Sequence, residues 1–187
     1  APDDLNFDQV TPHESLKQGF NFTFAGNIGK VQNLENVIRG FALLAKSNDR
    51  INLNIIGDGS NLEVLKNIVK EENVANVYFW GRRPLKEMPR WFEGSDVLII
   101  SLIDEPIFSL TIPAKFQAYL ASGKPIYCVM KGEVADLVIN NEIGFVAQPD
   151  DINDIRSGFE KFLVTPKHES QAFGCNMKTL LSNEYDR

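Results

Sequence analysis

The sequence predicts an α/β fold in which helices cover both faces of a doubly wound parallel sheet of about six strands. From Phe20 onward, short apolar or β-branched runs alternate with longer segments of helical period, which is typical of successive βαβ units. Glycine-containing turns such as GNIGK, GDGS and GRRP follow the first three runs. The length of 187 residues suits one domain, since domains hold roughly 100 to 200 residues. We therefore expect a Rossmann-like domain over 20–187, preceded by a linker or tail over 1–19.

The first strand and helix show the two patterns that define the units. Residues 20–25 form a short run, and apolar side chains then recur at the i, i+3, i+4 and i+7 spacing of one helix face over 34–45. A continuous apolar run over 96–102 predicts a strand that is buried on both faces. The other predicted strands cover 51–56, 77–80, 125–130 and 144–147.

Local signals set the ends of the later helices. Ser60 is expected to cap the helix over 61–72, since serine is a preferred N-cap residue. Another helix is expected to begin at Pro113, because proline is favoured in the first helical turn, and to end at Gly123. The run QPDD is an N-cap signal for a helix over 152–164. Further helices are predicted over 85–92 and 133–140 and, weakly amphipathic, within 167–187.

Composition and charge exclude several classes of protein. Hydrophobic residues make up 43% of the chain and charged residues 24%, which excludes a disordered or collagen-like protein. The net charge of −6 disfavours general nucleic-acid binding, although it leaves room for a local basic pocket. No apolar run approaches the roughly 20 residues of a membrane-spanning helix. The start has no signal-peptide features, and Cys128 and Cys175 form no disulfide pattern, so a reducing, cytoplasmic setting is expected.

The turn GNIGK is a candidate phosphate site. The ligand of an open parallel sheet lies outside the carboxyl ends of its strands, so the turns that follow the strands compete for function. Here the backbone N–H groups of Gly26, Asn27, Ile28, Gly29 and Lys30 precede a helix, and such groups bind phosphate oxygens. The Lys30 side chain would add a positive charge. The spacing fits a tight turn without a ligand equally well, and it matches neither GxGxxG nor a P-loop.

Cationic side chains follow two later strands. Arg82 and Arg83 come directly after the third strand, where they either reach the crevice or form a solvated surface pair. The long connection SLIDEPIFSLTIPAK is expected to be functional, because long loops inside compact domains usually are. Thr111 and Lys115 stand at its end, beside a helix start, where they would meet a second anion. The turns together predict a small anion-binding crevice around Lys30, Arg82 and Lys115.

Metal-dependent and hydrolytic sites find little support. His13 and His168 lie in polar segments without a second histidine or cysteine at ligand spacing, so no metal site is expected. Both segments are expected to be peripheral, so no Ser/His/Asp or Cys/His arrangement can be assembled near the crevice. Asp104 and Glu105 are adjacent in the chain and need not face one site, which argues against a two-carboxylate mechanism.

Five segments of the chain occur in an order that is typical of one enzyme family. They are FTFAGNIGKVQNLENVI, LNIIGDGS, VYFWGRRPLKEMPRWFEGSDVLIISL, IPAKFQAYLASGKPI and GEVADLVINNEIGFVA, and they cover about residues 20 to 165. Together they resemble the C-terminal, nucleotide-sugar-binding domain of family 4 glycosyltransferases with the GT-B fold. The similarity is greatest to bacterial members that build surface polysaccharides such as capsule and O-antigen, the outer part of lipopolysaccharide. It implies one half of a GT-B fold that binds a nucleotide diphosphate sugar, with uracil as the expected base.

The resemblance implies roles for residues at the donor phosphates and base. The phosphates would meet the turn 26–30 together with Thr111 and Lys115, and the base would face the loop that holds Arg82 and Arg83. Many family members have an arginine and a lysine in the first turn region, whereas this chain has Asn27 and Gln32 at the matching positions. Charge neutralisation would therefore depend on Lys30, Lys115 or backbone amides.

The resemblance also implies a changed sugar and ribose site. Many members carry two glutamates with seven residues between them, and alignment through ASGKP places Leu110 and Ala118 at those positions. Glu105 is the expected substitute for the first glutamate and Gln117 for the second, with Ser109 and Leu110 beside the same donor groups. No catalytic residue is assigned. The family transfers its sugar without a required metal ion or other cofactor, since the leaving diphosphate is stabilised electrostatically.

Family members have an N-terminal half that binds the acceptor and closes over the donor. The polar opening of this chain, which has no initiator methionine, resembles the region that joins the two halves. The expectation is therefore an excised C-terminal domain that binds donor weakly and transfers nothing alone. The acceptor is expected to be lipid-linked or a saccharide, and the full enzyme to associate peripherally with the inner face of the cytoplasmic membrane.

Two alternatives stay open at this point. The C-terminal half of a UDP-N-acetylglucosamine 2-epimerase has the same architecture and can look alike. A non-catalytic flavodoxin-like binding module is the second alternative. A receiver domain would need acidic residues after its first strand and a phosphoacceptor aspartate after its third, where this chain has AGN and WGR.

Overall fold

Six parallel strands form one sheet within residues 5–108 and 112–184, the ranges that the computed structural model describes. The strands are β1 (Phe20–Ala25), β2 (Ile51–Ile56), β3 (Val77–Gly81), β4 (Val97–Ser101), β5 (Ile126–Val129) and β6 (Gly144–Val146). Their order is β3-β2-β1-β4-β5-β6. The order reverses between β1 and β4, so a crevice opens beyond the carboxyl ends of these two strands. The predicted doubly wound α/β sheet is confirmed.

Helices pack on both faces of the sheet. In the described part of the chain they are α1 (Leu34–Ala45), α2 (Leu62–Glu71), α3 (Met88–Glu93), α4 (Lys115–Ser122), α5 (Glu133–Asn140), α6 (Ile152–Val164) and α7 (Lys167–Glu184). Helices α1, α2 and α6 share one buried core, which includes Phe22, Phe41 and Phe159. Helices α3, α4 and α5 share the other with Trp91 and Tyr119, and α7 packs beside α4. Over the described ranges, no helix has the length and apolar character needed to cross a membrane.

Capping signals placed the ends of two helices correctly. The Asp151 carboxylate accepts hydrogen bonds from the backbone N–H groups of Asn153 and Asp154, so QPDD does start α6. Helix α4 ends at Gly123, as predicted. These signals are informative because the hydrogen-bonded groups at each of these helix ends lie within four residues of each other in the chain.

Two predicted helix starts were wrong. Helix α4 begins at Lys115, because Pro113 forms a preceding turn in which its carbonyl accepts a hydrogen bond from the Phe116 N–H at 2.8 Å. The cap position of α2 is Asn61 rather than Ser60. The Asn61 backbone N–H donates to the Ile28 carbonyl in the turn GNIGK at 3.0 Å, which fixes Asn61 at the cap position.

Residues 5–19, which were expected to be a linker or tail, pack along α3 in the structure. Leu5, Phe7 and Leu16 contact the core beneath α3 and α4. The His13 ring stacks on the Trp91 ring with 3.9 Å between ring centres. We name residues 5–19 the N-terminal strap.

Buried asparagines join the N-terminal strap to the sheet. The Asn21 side chain donates to the Lys17 carbonyl at 2.9 Å, and the Asn52 side chain donates to the Gln18 carbonyl at 3.2 Å. Asn54 then donates to the Asn21 side chain at 3.0 Å. Buried polar groups need such partners, so the strap satisfies amides that would otherwise destabilise this face of the sheet.

Candidate functional site

Three glycine-containing turns meet at the carboxyl ends of β1, β2 and β3. The Gly26 N–H donates to the Ile56 carbonyl at 2.9 Å, and the Gly57 N–H donates to the Gly81 carbonyl at 2.9 Å. Gly57 has a φ of +140°, and a Cβ atom added to it would lie 1.8 Å from the Gly26 oxygen. Only glycine fits position 57, because both its backbone conformation and this contact exclude a side chain. The turns therefore form one continuous backbone surface at the crevice.

The first turn keeps three of its five predicted N–H donors available. Ile28 is fully buried, and its N–H donates to the Asp58 carbonyl at 2.9 Å. The Gly26 N–H is also used, as described above. Within the described ranges, the N–H groups of Asn27, Gly29 and Lys30 donate to no protein acceptor. These three groups can meet an anion, whereas Ile28 serves as a core residue that anchors the turn.

Lys115 lies against the first turn. Its Nζ donates to Gln32 Oε1 at 2.9 Å and lies 3.8 Å from the centre of the Phe24 ring. The same atom would be 3.0 Å from a Cβ at Gly26. The ammonium is thus aimed at the backbone between β1 and its following helix, where the crevice opens.

The environment of Lys115 makes its charge responsive to a ligand. Burial lowers the pKa of the Lys115 amine to about 7, because removal from water disfavours the charged form. An anion bound beside Nζ would favour the charged form and raise this pKa again. The Phe24 ring and the Gln32 oxygen hold the amine in place for that contact.

A cavity of about 510 Å³, which we name the polar cavity after the charged side chains in its wall, lies over the second and third turns. Arg82 and Arg83 line it, as does Asp58. The remaining lining residues are Ala25, Gly26, Asn27, Ile56, Gly57, Leu85 and Met88. Arg82 and Arg83 are exposed side chains that line the wall of this cavity together with one carboxylate, that of Asp58.

A second, mainly apolar cavity of about 330 Å³ adjoins the polar cavity. Lys115 and Gln117 line it, together with Leu5 from the N-terminal strap. Its other lining residues are Ala25, Gly26, Leu85, Met88, Phe92, Ala114, Ala118 and Tyr119. Four of these residues, Ala25, Gly26, Leu85 and Met88, line both cavities, so the two form one crevice.

The structure brings some predicted site residues together and leaves others apart. Lys30 is exposed and lines neither cavity, and the same holds for Glu105. Near Glu105, the Asp104 carboxylate pairs with Lys131. Ser109, Leu110 and Thr111 lie outside the described residues, so their predicted donor contacts stay predictions.

Sequence reasoning missed three contributors to the crevice. Gln32 holds the Lys115 amine, and no local pattern marks this pairing because the residues are far apart in the chain. Asp58 was assigned only to a turn, although its place directly after β2 brings it to the same edge as Arg82. Tyr119, one helical turn after Lys115, accepts a hydrogen bond from the Ala25 N–H at 3.0 Å and so fixes α4 to the end of β1. Burial raises the pKa of the Tyr119 hydroxyl, which keeps it neutral.

Among the described residues, no group of three or more His, Cys, Asp or Glu side chains is arranged to hold a metal ion. The charges that line the polar cavity are instead those of Arg82, Arg83 and Asp58, with Lys115 on the adjoining wall.

Comparisons with known proteins identify the family. The family described as Glycosyl transferases group 1 matches residues 9–178. The probable glycosyltransferase WbjE of Pseudomonas aeruginosa is 31% identical over 132 residues, which cover 70% of this chain and 32% of that protein. The chain therefore spans about a third of the length of this relative.

Solved structures share the fold at low sequence identity. Anabaena Alr3699/HepE in complex with UDP and glucose has a TM-score of 0.75 at 14% identity, over 90% of this chain and 45% of that chain. The C-terminal domain of a glycosyl transferase group 1 family protein, LpcC from Francisella tularensis, has a TM-score of 0.74 at 17% identity, over 96% of this chain and 97% of that chain. Since the family match extends over most of its length, the chain belongs to the group 1 glycosyl transferases.

Proposed function

We propose that this chain is the donor-binding, C-terminal domain of a glycosyltransferase that uses a nucleotide diphosphate sugar. The observation that carries the proposal is the position of Lys115, whose Nζ lies against Gly26 in the turn that also holds three available backbone N–H groups. A diphosphate needs such a combination of N–H donors and a cation. Membership of a transferase family supports this activity over the epimerase and the flavodoxin-like alternatives.

The crevice has the parts that a nucleotide diphosphate requires. The diphosphate would lie at Asn27, Gly29 and Lys30 N–H groups with Lys115 beside it. The base would enter the polar cavity between Arg82 or Arg83 and the second turn. The complex of HepE with UDP and glucose supports a uridine donor for a protein of this fold. Gln117, which lines the adjoining cavity, is a candidate for the ribose or sugar hydroxyls.

The chemistry expected of this site is stabilisation of the leaving diphosphate. Negative charge grows on the diphosphate as its bond to the sugar breaks, and preorganised donors lower the energy of that charge. Lys115 is well placed for this role, because its proton affinity rises as the charge beside it grows. Each such donor typically lowers the barrier by roughly 3 to 4 kcal/mol.

A second domain, N-terminal in the full polypeptide, would bind a lipid-linked or saccharide acceptor for surface polysaccharide synthesis. The enzyme would act in the cytoplasm at the inner face of the cytoplasmic membrane. The 45% coverage of HepE and the 97% coverage of the isolated LpcC domain support this division into two parts.

Calorimetric titration with uridine, UMP and UDP tests the donor site. We expect UDP to bind more tightly than UMP, and UMP more tightly than uridine, because each phosphate adds contacts at the first turn. The 187-residue chain serves for the experiment. Absence of UDP binding at millimolar nucleotide would overturn the proposal, and equal affinities for UDP and uridine would place the diphosphate elsewhere.

A further inference from the structure

Trp91 links the N-terminal strap to the polar cavity. This tryptophan is fully buried in α3, and the ring of His13 lies 3.9 Å from it at an interplanar angle of 14°. The guanidinium carbon of Arg83 lies 5.7 Å from the centre of the same ring. Arg83 also lines the polar cavity. One indole therefore touches a residue of the strap and a cation of the candidate donor site.

His13 is held in this position through its backbone and its ring. The His13 N–H donates to the Arg90 carbonyl at 3.0 Å, and His13 Nδ1 accepts a hydrogen bond from the Ser15 N–H at 3.2 Å. Next to it, the Glu14 carboxylate pairs with the Arg90 guanidinium at 2.7 Å. The ring orientation is therefore fixed, and His13 can in turn fix the indole that it covers.

Arg83 is also fixed on its other side. Its Nε donates to the Trp80 carbonyl at 3.0 Å while the guanidinium lies near Trp91. An exposed arginine loses rotamer entropy when a ligand orders it, and a side chain that is already ordered avoids this loss. Contact with an indole ring stabilises a guanidinium in one position.

We propose that the N-terminal strap is a positioning element of the donor site, in which His13 fixes Trp91 and Trp91 holds Arg83 toward the nucleotide. The proposal rests on the proposed function, since it takes the polar cavity as the place of the nucleotide. Binding and strap docking are then coupled in both directions, because a ligand that orders Arg83 also favours the docked strap.

A double-mutant cycle on UDP affinity tests the coupling. His13→Ala should weaken UDP binding about two- to fivefold, the range expected for a cation–π contact at a partly exposed site. The same substitution should have no further effect in an Arg83→Ala background. His13→Phe keeps an aromatic ring on Trp91 and should restore the affinity. Asp8→Asn, which changes an exposed side chain of the strap that takes no part in fixing His13, is the matched control and should bind UDP as the unchanged chain does.

A structural role of His13 alone would produce a different result. In that case His13→Ala would lower the thermal midpoint but leave the UDP affinity of the folded protein unchanged, which would overturn the proposal. Solvent exchange of the Arg83 Nε–H, followed by NMR, gives a measurement without ligand, and His13→Ala or His13→Phe can each be compared with the unchanged chain. We expect faster exchange in the alanine variant, and equal rates in all three would also overturn the proposal.

The same data distinguish a failure of this proposal from a failure of the proposed function on which it rests. If the unchanged chain binds no UDP, the proposed function fails. If Arg83→Ala weakens UDP binding and His13→Ala does not, the donor site stands and only the role of the strap is refuted.

Discussion

Replacement of Lys115 by methionine removes the charge at the first turn and keeps an apolar side chain of similar length. A hydrogen bond to a charged group contributes about 1.5 to 3 kcal/mol, which corresponds to roughly a 10- to 160-fold loss of UDP affinity. Coulomb's law at an effective dielectric of about 20 gives roughly 4 kcal/mol for one unit charge at 4 Å, and this sets an upper bound. The half-buried Lys115 side chain has already lost part of its hydration in the free protein, which reduces the further dehydration that opposes binding.

The affinity of the unchanged chain should depend on pH in a way that the variant does not share. With a pKa of about 7 in the free protein, Lys115 is half charged at pH 7 and increasingly neutral above it. UDP must then bind together with a proton, so its affinity should fall from pH 7 to pH 9 by up to about tenfold per pH unit. Lys115→Met has no proton to take up and should show no such fall over this range.

The stability of the unchanged chain should rise with pH, whereas its affinity for UDP falls. The pKa of a lysine in an unfolded chain is about 10.4, whereas burial lowers the pKa of Lys115 in the folded protein to about 7. Between these values the unfolded chain binds more protons, so the free energy of unfolding rises with pH across this window. This gain in the free energy of unfolding is absent below pH 7, because the folded protein must then bury a charged amine. Lys115→Met should therefore be more stable than the unchanged chain at pH 6 to 7, by an amount on the order of a few kcal/mol.

Calorimetric titration with UDP at pH 7 and pH 9, combined with thermal unfolding at the same pH values, measures both effects. Lys124→Met is the matched control, because Lys124 follows α4 at its other end and its Nζ donates to the Glu93 carbonyl at 2.8 Å. The control should bind UDP normally at both pH values. Binding of UDP by Lys115→Met within twofold of the unchanged chain would refute the reasoning, as would an equal pH dependence in the two proteins.

Three further substitutions test other parts of the site. Gly57→Ala should cost more than about 3 kcal/mol of stability in denaturant unfolding, because backbone strain and a backbone clash combine at this position. Gly81 has a φ of +69° and nothing within 4 Å of an added Cβ, so Gly81→Ala should cost only about 1 kcal/mol, and similar losses for the two variants would contradict the clash. Gln32→Leu removes the oxygen that holds Lys115 and should weaken UDP binding about two- to tenfold by calorimetry, so an unchanged affinity would show that the amine needs no such support. Asp151→Ala should lower stability by about 0.5 to 2 kcal/mol in thermal unfolding through loss of the α6 cap, and a change in UDP affinity would mean that the cap also acts on the crevice.

Much of the fold was predictable because its signals are local. The predicted ranges 34–45, 133–140 and 152–164 coincide with helices α1, α5 and α6, where an apolar stripe or a cap specifies each element. The strand pairing could also be anticipated, since alternating strands and helices leave few arrangements other than a doubly wound sheet. Packing of the N-terminal strap was not predictable, because Leu5, Phe7 and Leu16 follow neither a helical nor a strand period.

The site was predictable where a turn directly follows a strand, and not where distant residues meet. Arg82 and Lys115 were found from their places at the carboxyl edge of the sheet. The contact of Lys115 with Gln32 joins residues 83 positions apart, and only the folded chain brings them together. His13 was likewise read as peripheral, because its stacking partner Trp91 belongs to another element with no pattern to connect the two.

The contact between the first two turns has a consequence for attempts to engineer this protein toward other nucleotides. Since a side chain at position 57 would collide with the Gly26 carbonyl, a mutant library that varies Gly57 would consist mainly of destabilised members. Leu85 and Met88 line both cavities from a different segment and leave the turn backbone untouched. Random variation is therefore best concentrated at the exposed Leu85, because Met88 is also buried in the core that α3, α4 and α5 share.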